Sequence, residues 1–386
     1  MVHRTSERPY RQRTSEPSPV AQGPSAEGRA PPDLAVRAVI SARRRMKDAT
    51  DRLAPPELVL WEMATGVVVT KMLGAAARLR IADLLAKGAL DGAAIAAETG
   101  QNADAMHRMM RALVSYGVFA LDASGRFVNN FRSEALRSGR PGAARELIEY
   151  FATRSNVDAW NQLDETLATG RNGFGIEHGT SVWSWFDAHS GERDLFATAM
   201  MGMTVTTAPV IAKLYPWAEL TRVCDVGGGR GTLLGELLVR CPSLSGVLYD
   251  NEGVVALASE LLAQRGVLDR ARLETGSFFE RVPPSVGAYV LKNILHDWSD
   301  EACHRILTNV RAACAPGDKL VILEVLVEHD DASGVGPVSD VQMMMVCDEG
   351  RERSRQEYRR LLERAGFRLG RVTAHAMISA IEGVAS

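Results

Sequence analysis

The chain has 386 residues, of which 46% are hydrophobic and 24% charged, and its formal net charge is -2 at pH 7. This length and composition are typical of a globular protein with about two or three domains. A near-neutral chain has no overall basic field to hold nucleic acid or an anionic membrane. The most apolar early stretch, GVVVTKMLGAAA, is interrupted by Lys71 and is shorter than the roughly 20 residues of a membrane span. We therefore expect neither nucleic acid nor a membrane as a partner.

The cysteines predict a reducing compartment. They are odd in number and form neither C-x-x-C pairs nor metal-ligand spacings with histidine. They are Cys224, Cys241, Cys303, Cys314 and Cys347. We expect free thiols, a cytoplasmic protein and no bound metal.

Residues 1–33 hold six of the sixteen prolines and a single aromatic residue, Tyr10. A segment with so little to bury is predicted to be a disordered, dispensable tail, and a partner-binding arm is the alternative. It lacks the apolar core of a secretory signal.

Residues 34–216 have a helical pattern, with apolar residues three and four apart. Near residue 102 the pattern predicts a helix that Asn102 caps and Gly117 ends. One apolar stripe follows this helix, made by Met106, Met109, Met110 and Leu113. The segments VFAL and RFVN around the turn DASG then predict a hairpin, so the region is winged-helix-like.

A winged helix raises the alternative of DNA binding, because His107, Arg108 and Arg111 face away from the apolar stripe. The near-neutral charge of the chain favours a solvated helix face in a packing or dimerisation domain instead.

Residues 217–386 alternate between strand and helix patterns, which predicts a doubly wound α/β domain of parallel strands. The predicted strands are RVCDV, GVLYD, ARLETG, AYVLKN, KLVILEV and FRLGRVTAHA. The predicted helices are TLLGELLVRC, VVALASELLAQRG, DEACHRILTNVRAAC and RQEYRRLLERAG.

A glycine-rich loop, DVGGGRG, follows the first of these strands. Gly227, Gly229 and Gly231 allow a tight turn that brings backbone N–H groups against a ligand at a helix N-terminus. The dinucleotide fingerprint does not fit, because position 232 is threonine. The looser spacing indicates an S-adenosylmethionine loop, and a plain tight turn is the alternative. Asp250 ends the next strand, where an acidic residue binds ribose hydroxyls in this architecture.

Four motifs, DVGGGRG, GSFF, LKNILHDWSDE and GRERS, together resemble the S-adenosylmethionine-dependent O-methyltransferases of the caffeate and hydroxyindole type, including their bacterial natural-product relatives. The resemblance covers nearly the whole chain after the tail. It implies a Rossmann-like methyltransferase domain, an all-helical winged-helix-like dimerisation domain that also lines the acceptor pocket, S-adenosylmethionine as cofactor, and a homodimer.

The resemblance also implies roles for individual residues. His296 matches the general base that takes the proton of the acceptor hydroxyl, and Glu324 and Glu352 match the carboxylates that orient it. The implied cofactor-binding residues are Gly227, Gly229, Asp250, Ser277, Phe278, Lys292 and Thr204. The residues assigned to the acceptor pocket are Met200, Trp298 and Met344, although a buried helix explains the run Met343 to Met345 equally well.

The sequence departs from the family pattern at two places. Ser277 stands where the usual G-D-F-F motif has an aspartate for the adenine amino group, so cofactor affinity is expected to fall by up to about 1–2 kcal/mol. The residues Asp250 to Glu252 read D-N-E where D-L-P is usual, which makes the ribose side of the site more polar.

The chemistry explains why a base is needed. A phenol with a pKa of about 10 is a weak nucleophile, and a histidine with a pKa of about 6.5 would remove its proton only at a cost of roughly 5 kcal/mol. Carboxylates beside the imidazole raise its basicity and fix its tautomer. A histidine that merely packs at a strand-to-helix junction is the alternative for His296, and Glu349 is a weaker competitor for the role of Glu352.

The sequence thus predicts an O-methyltransferase that acts on a hydroxyl of an aromatic, phenolic or polyketide-like acceptor in bacterial secondary metabolism. The alternatives are a hydroxylase or decarboxylase with the same cofactor, and a winged-helix regulator with a small-molecule domain.

Overall fold

The computed structural model describes residues 32–284, 286–328 and 336–386. The predicted tail, residues 1–33, lies almost entirely outside the described residues, and the first helix begins at Asp33. The first half of the chain is helical apart from one hairpin. Its elements are α1 (Asp33–Asp51), α2 (Pro56–Ala64), α3 (Gly66–Arg78), α4 (Ile81–Leu85), α5 (Gly92–Thr99), α6 (Ala103–Ser115), β1 (Phe119–Leu121), β2 (Phe127–Asn129), α7 (Ala144–Phe151), α8 (Arg154–Ala159), α9 (Leu163–Thr169), α10 (Gly173–His178), α11 (Val182–Ala188) and α12 (Ser190–Leu214).

The predicted helix and hairpin near residue 102 are confirmed. Asn102 caps α6, because its Oδ1 accepts the Ala105 N–H at 3.0 Å. Gly117, with φ at 71°, lies in the left-handed region just after the helix and turns the chain into β1. Strands β1 and β2 pair antiparallel. The apolar stripe of α6 faces the core of this region, while His107, Arg108 and Arg111 are exposed.

The second half is a doubly wound α/β domain, as predicted. Its elements are β3 (Arg222–Val226), α13 (Thr232–Arg240), β4 (Ser245–Asp250), α14 (Glu252–Val255), α15 (Ala258–Gln264), β5 (Ala271–Thr275), β6 (Ala288–Lys292), α16 (Asp300–Ala313), β7 (Lys319–Glu324), α17 (Gly336–Val346), α18 (Arg355–Arg364), β8 (Phe367–Thr373) and β9 (Ser379–Ala385). The strands form one sheet in the order β5-β4-β3-β6-β7-β9-β8.

Each central strand buries alternate residues on opposite faces of the sheet. In β6, Val290 packs with α13 and α15 on one face, and its neighbours Tyr289 and Leu291 pack with α16 and α18 on the other. Both faces are apolar because helices cover both, which is why these strands are nearly continuous hydrophobic runs in the sequence.

The strand order reverses between β3 and β6, and this reversal positions the site. The chain passes from β3 to β4 and β5 on one side, and then returns to β6 and β7 on the other. The crevice at the carboxyl ends of strands on either side of such a reversal is where open α/β sheets bind ligands. The glycine loop follows β3, and His296 follows β6.

The structure differs from the prediction for this domain in one strand and one helix. Strand β9 was not predicted, and it runs antiparallel to β7 and β8. Its sequence contains Glu382 and Gly383, which are unfavourable in strands, but the structure accommodates both: Glu382 accepts the Tyr215 hydroxyl at 2.7 Å, and a Cβ on Gly383 would lie 2.8 Å from Leu362. The predicted helix VVALASELLAQRG is split into α14 and α15, and nothing in its sequence marks the break.

Two helical stretches, Pro56–Arg78 and Ser190–Leu214, are long and apolar enough to cross a membrane by length and composition alone. The first comprises α2 and α3. The second is α12, which packs against α7 and α13. Both features are also typical of core and interface helices, so the expectation of no membrane stays a prediction. All five cysteines are unpaired, as expected.

Candidate active site

The glycine loop after β3 needs its glycines. Gly227, Gly229 and Gly231 have φ values of 69°, 60° and 76°, which other residues rarely adopt. A Cβ on Gly227 would lie 2.6 Å from Ile294 Cδ1 and 3.5 Å from the Phe278 ring. The loop, Phe278 and the segment just before His296 therefore meet at one point.

Asp250 closes the loop from the neighbouring strand. Its Oδ2 accepts the Gly229 N–H at 2.8 Å, and its Oδ1 accepts the Asn251 N–H at 2.7 Å. Burial raises the pKa of this carboxyl. Each oxygen keeps a further lone pair, so the carboxylate can hold the loop and still accept ribose hydroxyls.

Asp225, the last acidic residue before the loop, was not predicted as a site residue. It is 2% exposed, and its Oδ2 has no hydrogen-bond partner among the residues that the structure describes. Burial raises the pKa of Asp225 to about 7, although Lys292 acts to lower it. Burial also lowers the pKa of the Lys292 ammonium, against the opposing effects of Glu324 and Asp225. An unpaired carboxylate oxygen beside a glycine cradle fits a ligand rich in N–H and O–H donors, as S-adenosylmethionine is.

Two predicted cofactor residues use their hydroxyls locally. Thr204 Oγ1 donates to the Met200 carbonyl at 2.9 Å within α12. Ser277 Oγ accepts the Phe279 N–H at 3.3 Å in the loop after β5. Their assigned contacts with the cofactor stay predictions.

His296 lies in a short 3-10 helix, Leu295–Asp297, which we call the His296 turn. The side chain is buried, and the residue is 8% exposed. Its Nδ1 lies 3.1 Å from Glu352 Oε1 and 3.6 Å from Glu324 Oε2. The sequence placed these three residues together, and the structure brings them into contact.

Glu324 acts mainly on the backbone of the turn. It ends β7, and its Oε1 accepts the N–H groups of Ile294 and Leu295, each at 3.0 Å. Hydrogen bonds to a charged acceptor contribute about 1.5–3 kcal/mol each. The carboxylate therefore fixes where the turn lies, while its second oxygen faces the imidazole.

Glu352 is the carboxylate that orients the ring. Its Oε1 lies within hydrogen-bonding distance of His296 Nδ1 and accepts the Ser339 hydroxyl at 2.7 Å. The competitor Glu349 is exposed, with φ at 56°. A bond from Nδ1–H to Glu352 leaves Nε2 as the basic nitrogen.

Asp297 is a second residue that the sequence analysis missed. Its Oδ1 lies 3.5 Å from His296 Nε2. Burial raises the pKa of Asp297 to about 6 and that of Glu324 to about 7, in each case against the lowering effect of His296. Burial lowers the pKa of His296, but Glu324, Asp297 and Glu352 outweigh it and raise the value to about 10. The predicted rise in basicity is confirmed in direction.

Arg353 was not predicted as a site residue either, and its side chain binds the backbone of the His296 turn. Its side chain is fully buried, and its guanidinium donates to the Leu295 and Trp298 carbonyls, each at 2.7 Å, and to Asp300 at 2.8 and 2.9 Å. These acceptors lie on both sides of His296 in the sequence. Because Arg353 directly follows Glu352, it ties the turn to the residue that orients the imidazole.

The residues assigned to the acceptor pocket lie on three parts of the chain: directly after the His296 turn, on α17 and on α12. Trp298 stacks on Trp183, and Phe278 and Phe279 pack edge-on against it. Met344, on α17, is half-buried against the same aromatic cluster. Met200 is partly buried on α12. An ion pair between Arg230 and Asp194, at 3.4 Å, links the glycine loop to α12.

The ligand atoms of His296, Glu324 and Glu352 lie within 4.8 Å of one another, a spacing that a metal ion also accepts. The hydrogen bonds to Ser339 and to the backbone of the turn already account for one oxygen of each glutamate. The expectation of no metal stays a prediction.

A glycine loop after β3, an acidic residue ending β4 and a buried histidine after β6 define an S-adenosylmethionine-dependent methyltransferase. Comparison with known proteins identifies the family. An O-methyltransferase domain matches residues 160–368, and an O-methyltransferase dimerisation domain matches residues 61–138. The chain belongs to the O-methyltransferase family and is an S-adenosylmethionine-dependent enzyme, which decides against the alternative of a winged-helix regulator.

Individual relatives are similar in sequence and structure over most of the chain. The mitomycin biosynthesis 6-O-methyltransferase of Streptomyces lavendulae is 31% identical over 319 residues, 82% of this chain and 91% of that protein. The crystal structure of LaPhzM has a TM-score of 0.83 at 32% identity, covering 86% of this chain and 100% of its own. The neocarzinostatin O-methyltransferase NcsB1 was solved with S-adenosylmethionine and 2-hydroxy-5-methyl naphthoic acid. Its structure has a TM-score of 0.73 at 30% identity, and the match covers 82% of this chain and 96% of that chain.

We expect Arg353→Lys to lower kcat at least about ten-fold with little change in S-adenosylmethionine affinity, because a lysine cannot hold both carbonyls that fix the turn. Steady-state kinetics and calorimetry measure the two quantities. Arg351→Lys is the control, since the Arg351 side chain is half-exposed and pairs only with Glu357 at 2.8 Å. Equal kinetics for the two variants would show that Arg353 does not position His296.

Proposed function

We propose that the chain transfers a methyl group to a hydroxyl of an aromatic small molecule in bacterial secondary metabolism, with His296 as the general base. The observation that carries this proposal is the geometry of the imidazole. Glu352 holds Nδ1 at 3.1 Å, which makes Nε2 the proton acceptor, and the turn lies at the carboxyl ends of the central strands.

S-adenosylmethionine supplies an electrophilic methyl group on a cationic sulfur. The task of the protein is then to make the acceptor oxygen nucleophilic. A phenol has a pKa of about 10, and the buried carboxylates raise the pKa of His296 to about 10 as well. Only the neutral form of His296 can act as a base, and in that form proton transfer between groups of matched pKa has almost no thermodynamic cost, so His296 can take the proton as the new bond forms.

The surroundings of the turn favour an aromatic acceptor. Trp183, Phe186, Phe196 and Trp298 cluster beside it, and rings of this kind bind flat apolar substrates by stacking. The relatives support the same class, since one acts in mitomycin biosynthesis and another binds a hydroxynaphthoic acid.

His296→Ala is expected to lower kcat by roughly 10² to 10⁴, which is the usual effect of a positioned base. S-adenosylmethionine affinity should change little, whereas the melting temperature should fall, because the three buried carboxylates lose their cationic partner; kcat is therefore measured below the melting transition. A panel of phenols with mass-spectrometric detection of the methyl ether provides the assay. The exposed His107→Ala is the matched control, and near-normal turnover by His296→Ala would refute the assignment.

The pH profile depends on Asp297. Because the carboxylates stabilise the imidazolium, kcat/KM should rise with pH well past 6.5 as His296 loses its proton. Asp297→Asn removes one of these charges and should move the rising limb to lower pH. Fitting the apparent pKa of kcat/KM for both proteins measures the shift. An unchanged apparent pKa would mean that another group controls the rate.

We also propose a homodimer formed through α2 and α3. Trp61 and Met63 are more than 60% exposed, and Val67 and Val68 more than 50%. An open apolar groove of about 400 Å³ continues this surface and is lined by Val67, Val68, Lys71, Met72, Ala75 and Met109. The surface lies in the region that matches the dimerisation domain, and a patch of this kind is typical of an interface.

Val68→Glu should convert the dimer to a monomer, because it places an unpaired charge inside the interface. Sedimentation at micromolar concentration gives the mass. Leu121→Glu, at a similarly exposed residue of the β1–β2 hairpin, is the control. A wild-type protein that sediments as a monomer would contradict the proposal.

A further inference from the structure

Five aromatic side chains form a connected cluster that reaches the His296 turn through Trp298, and we call them the aromatic lining: Tyr150, Trp183, Phe186, Phe196 and Trp298. Trp298 stacks on Trp183 with ring centroids 5.9 Å apart. Trp183 and Tyr150 both pack against Phe186 and Phe196, at centroid distances from 5.2 to 6.5 Å. The lining is thus continuous, and it includes the second residue after the base.

One N–H group of the lining has no partner within the described part of the chain. There Trp183 Nε1 is buried and makes no hydrogen bond with any described residue. By contrast, Trp185 Nε1 donates to Glu192 at 3.1 Å and Trp217 Nε1 donates to the Ile211 carbonyl at 2.9 Å. Buried indole nitrogens usually find an acceptor, so Trp183 is the exception among these three.

We propose that Trp183 Nε1 donates to an uncharged carbonyl oxygen of the aromatic acceptor, so that the preferred acceptors are phenols that also carry a ketone, quinone, ester or amide. This inference rests on the proposed function and names the substrate class within it. A site whose buried donors need an acceptor discriminates strongly against analogues that lack one, because their binding leaves the donors unpaired.

The charges around the turn favour a neutral oxygen over a carboxylate. Asp297, Glu324 and Glu352 lie 3.5, 3.6 and 3.1 Å from the ring nitrogens of His296. Arg353 is committed to the carbonyls of the turn and to Asp300. An acceptor carboxylate would therefore lie near like charges without a cationic partner from the lining.

Calorimetry on the full chain with S-adenosylhomocysteine tests the inference. The probes are methyl 1,4-dihydroxy-2-naphthoate, the matching free acid at neutral pH, and 1-naphthol, which has no carbonyl. We expect the ester to bind at least about ten-fold more tightly than either of the others. Equal or tighter binding of the acid, or equal binding of 1-naphthol, would overturn the proposal.

One variant tests the donor directly. Trp183→Phe keeps a ring against Trp298 without the N–H, so it should weaken ester binding about ten-fold and leave 1-naphthol binding nearly unchanged. Trp185→Phe removes an N–H that is already paired with Glu192, so it should leave the preference for the ester intact. Equal losses for the ester and 1-naphthol in Trp183→Phe would reduce Trp183 to a packing role.

Thermal melts and S-adenosylmethionine binding verify that each variant is folded. If a variant does not fold, the affinities of the wild-type protein for the ester, the acid and 1-naphthol still test the proposal. Because binding is measured without turnover, the experiment separates the preference for a carbonyl-bearing acceptor from the proposed methyl transfer. Methylation of phenols without any preference for the ester contradicts this inference alone. A preference for the ester with no phenol methylated contradicts the proposed function.

Discussion

The burial of one histidine with three carboxylates is the constraint on which the site depends. Unpaired buried charges are costly, so each charge of this cluster needs a fixed partner. Glu324 accepts two backbone N–H groups, Glu352 accepts the Ser339 hydroxyl, and the imidazole lies between them. The requirement for partners leaves the imidazole one well-defined orientation, which is what catalysis by a base demands.

The register of the sheet supplies this arrangement. Lys292 at the end of β6 pairs with Leu323 of β7, so Glu324 lies next to the backbone that leads into the His296 turn. A slip of one residue in β7 would move Glu324 to the other face of the sheet. The apolar residues on both faces prevent such a slip, because it would bring the wrong neighbours into each core. The hydrophobic core and the catalytic geometry are therefore fixed by the same pairing.

The sequence predicted those parts of the fold whose signals are local. Strands such as Ala288–Lys292 are short apolar runs between turns, and the positive φ values of the loop glycines account for their identity. His296, Glu324 and Glu352 were assigned through motifs. Arg353 and Asp297 were missed because their contacts are tertiary: Arg353 binds the carbonyl of Leu295, a residue 58 positions away. Strand β9 was missed because its local composition opposes a strand, and it is stabilised by tertiary pairing with β7 and β8.

Burial also determines the basicity of His296. In water, exposed carboxylates would raise the basicity of a histidine only slightly, because solvent screens them. Inside the protein the same charges act across a poorly solvated space and raise the pKa of His296 to about 10. An aromatic acceptor that packs against Trp298 would displace water further and strengthen this effect. If His296 is the base of the proposed reaction, such an acceptor gains from burial twice: through stacking on the ring and through the raised basicity of the group that takes its proton.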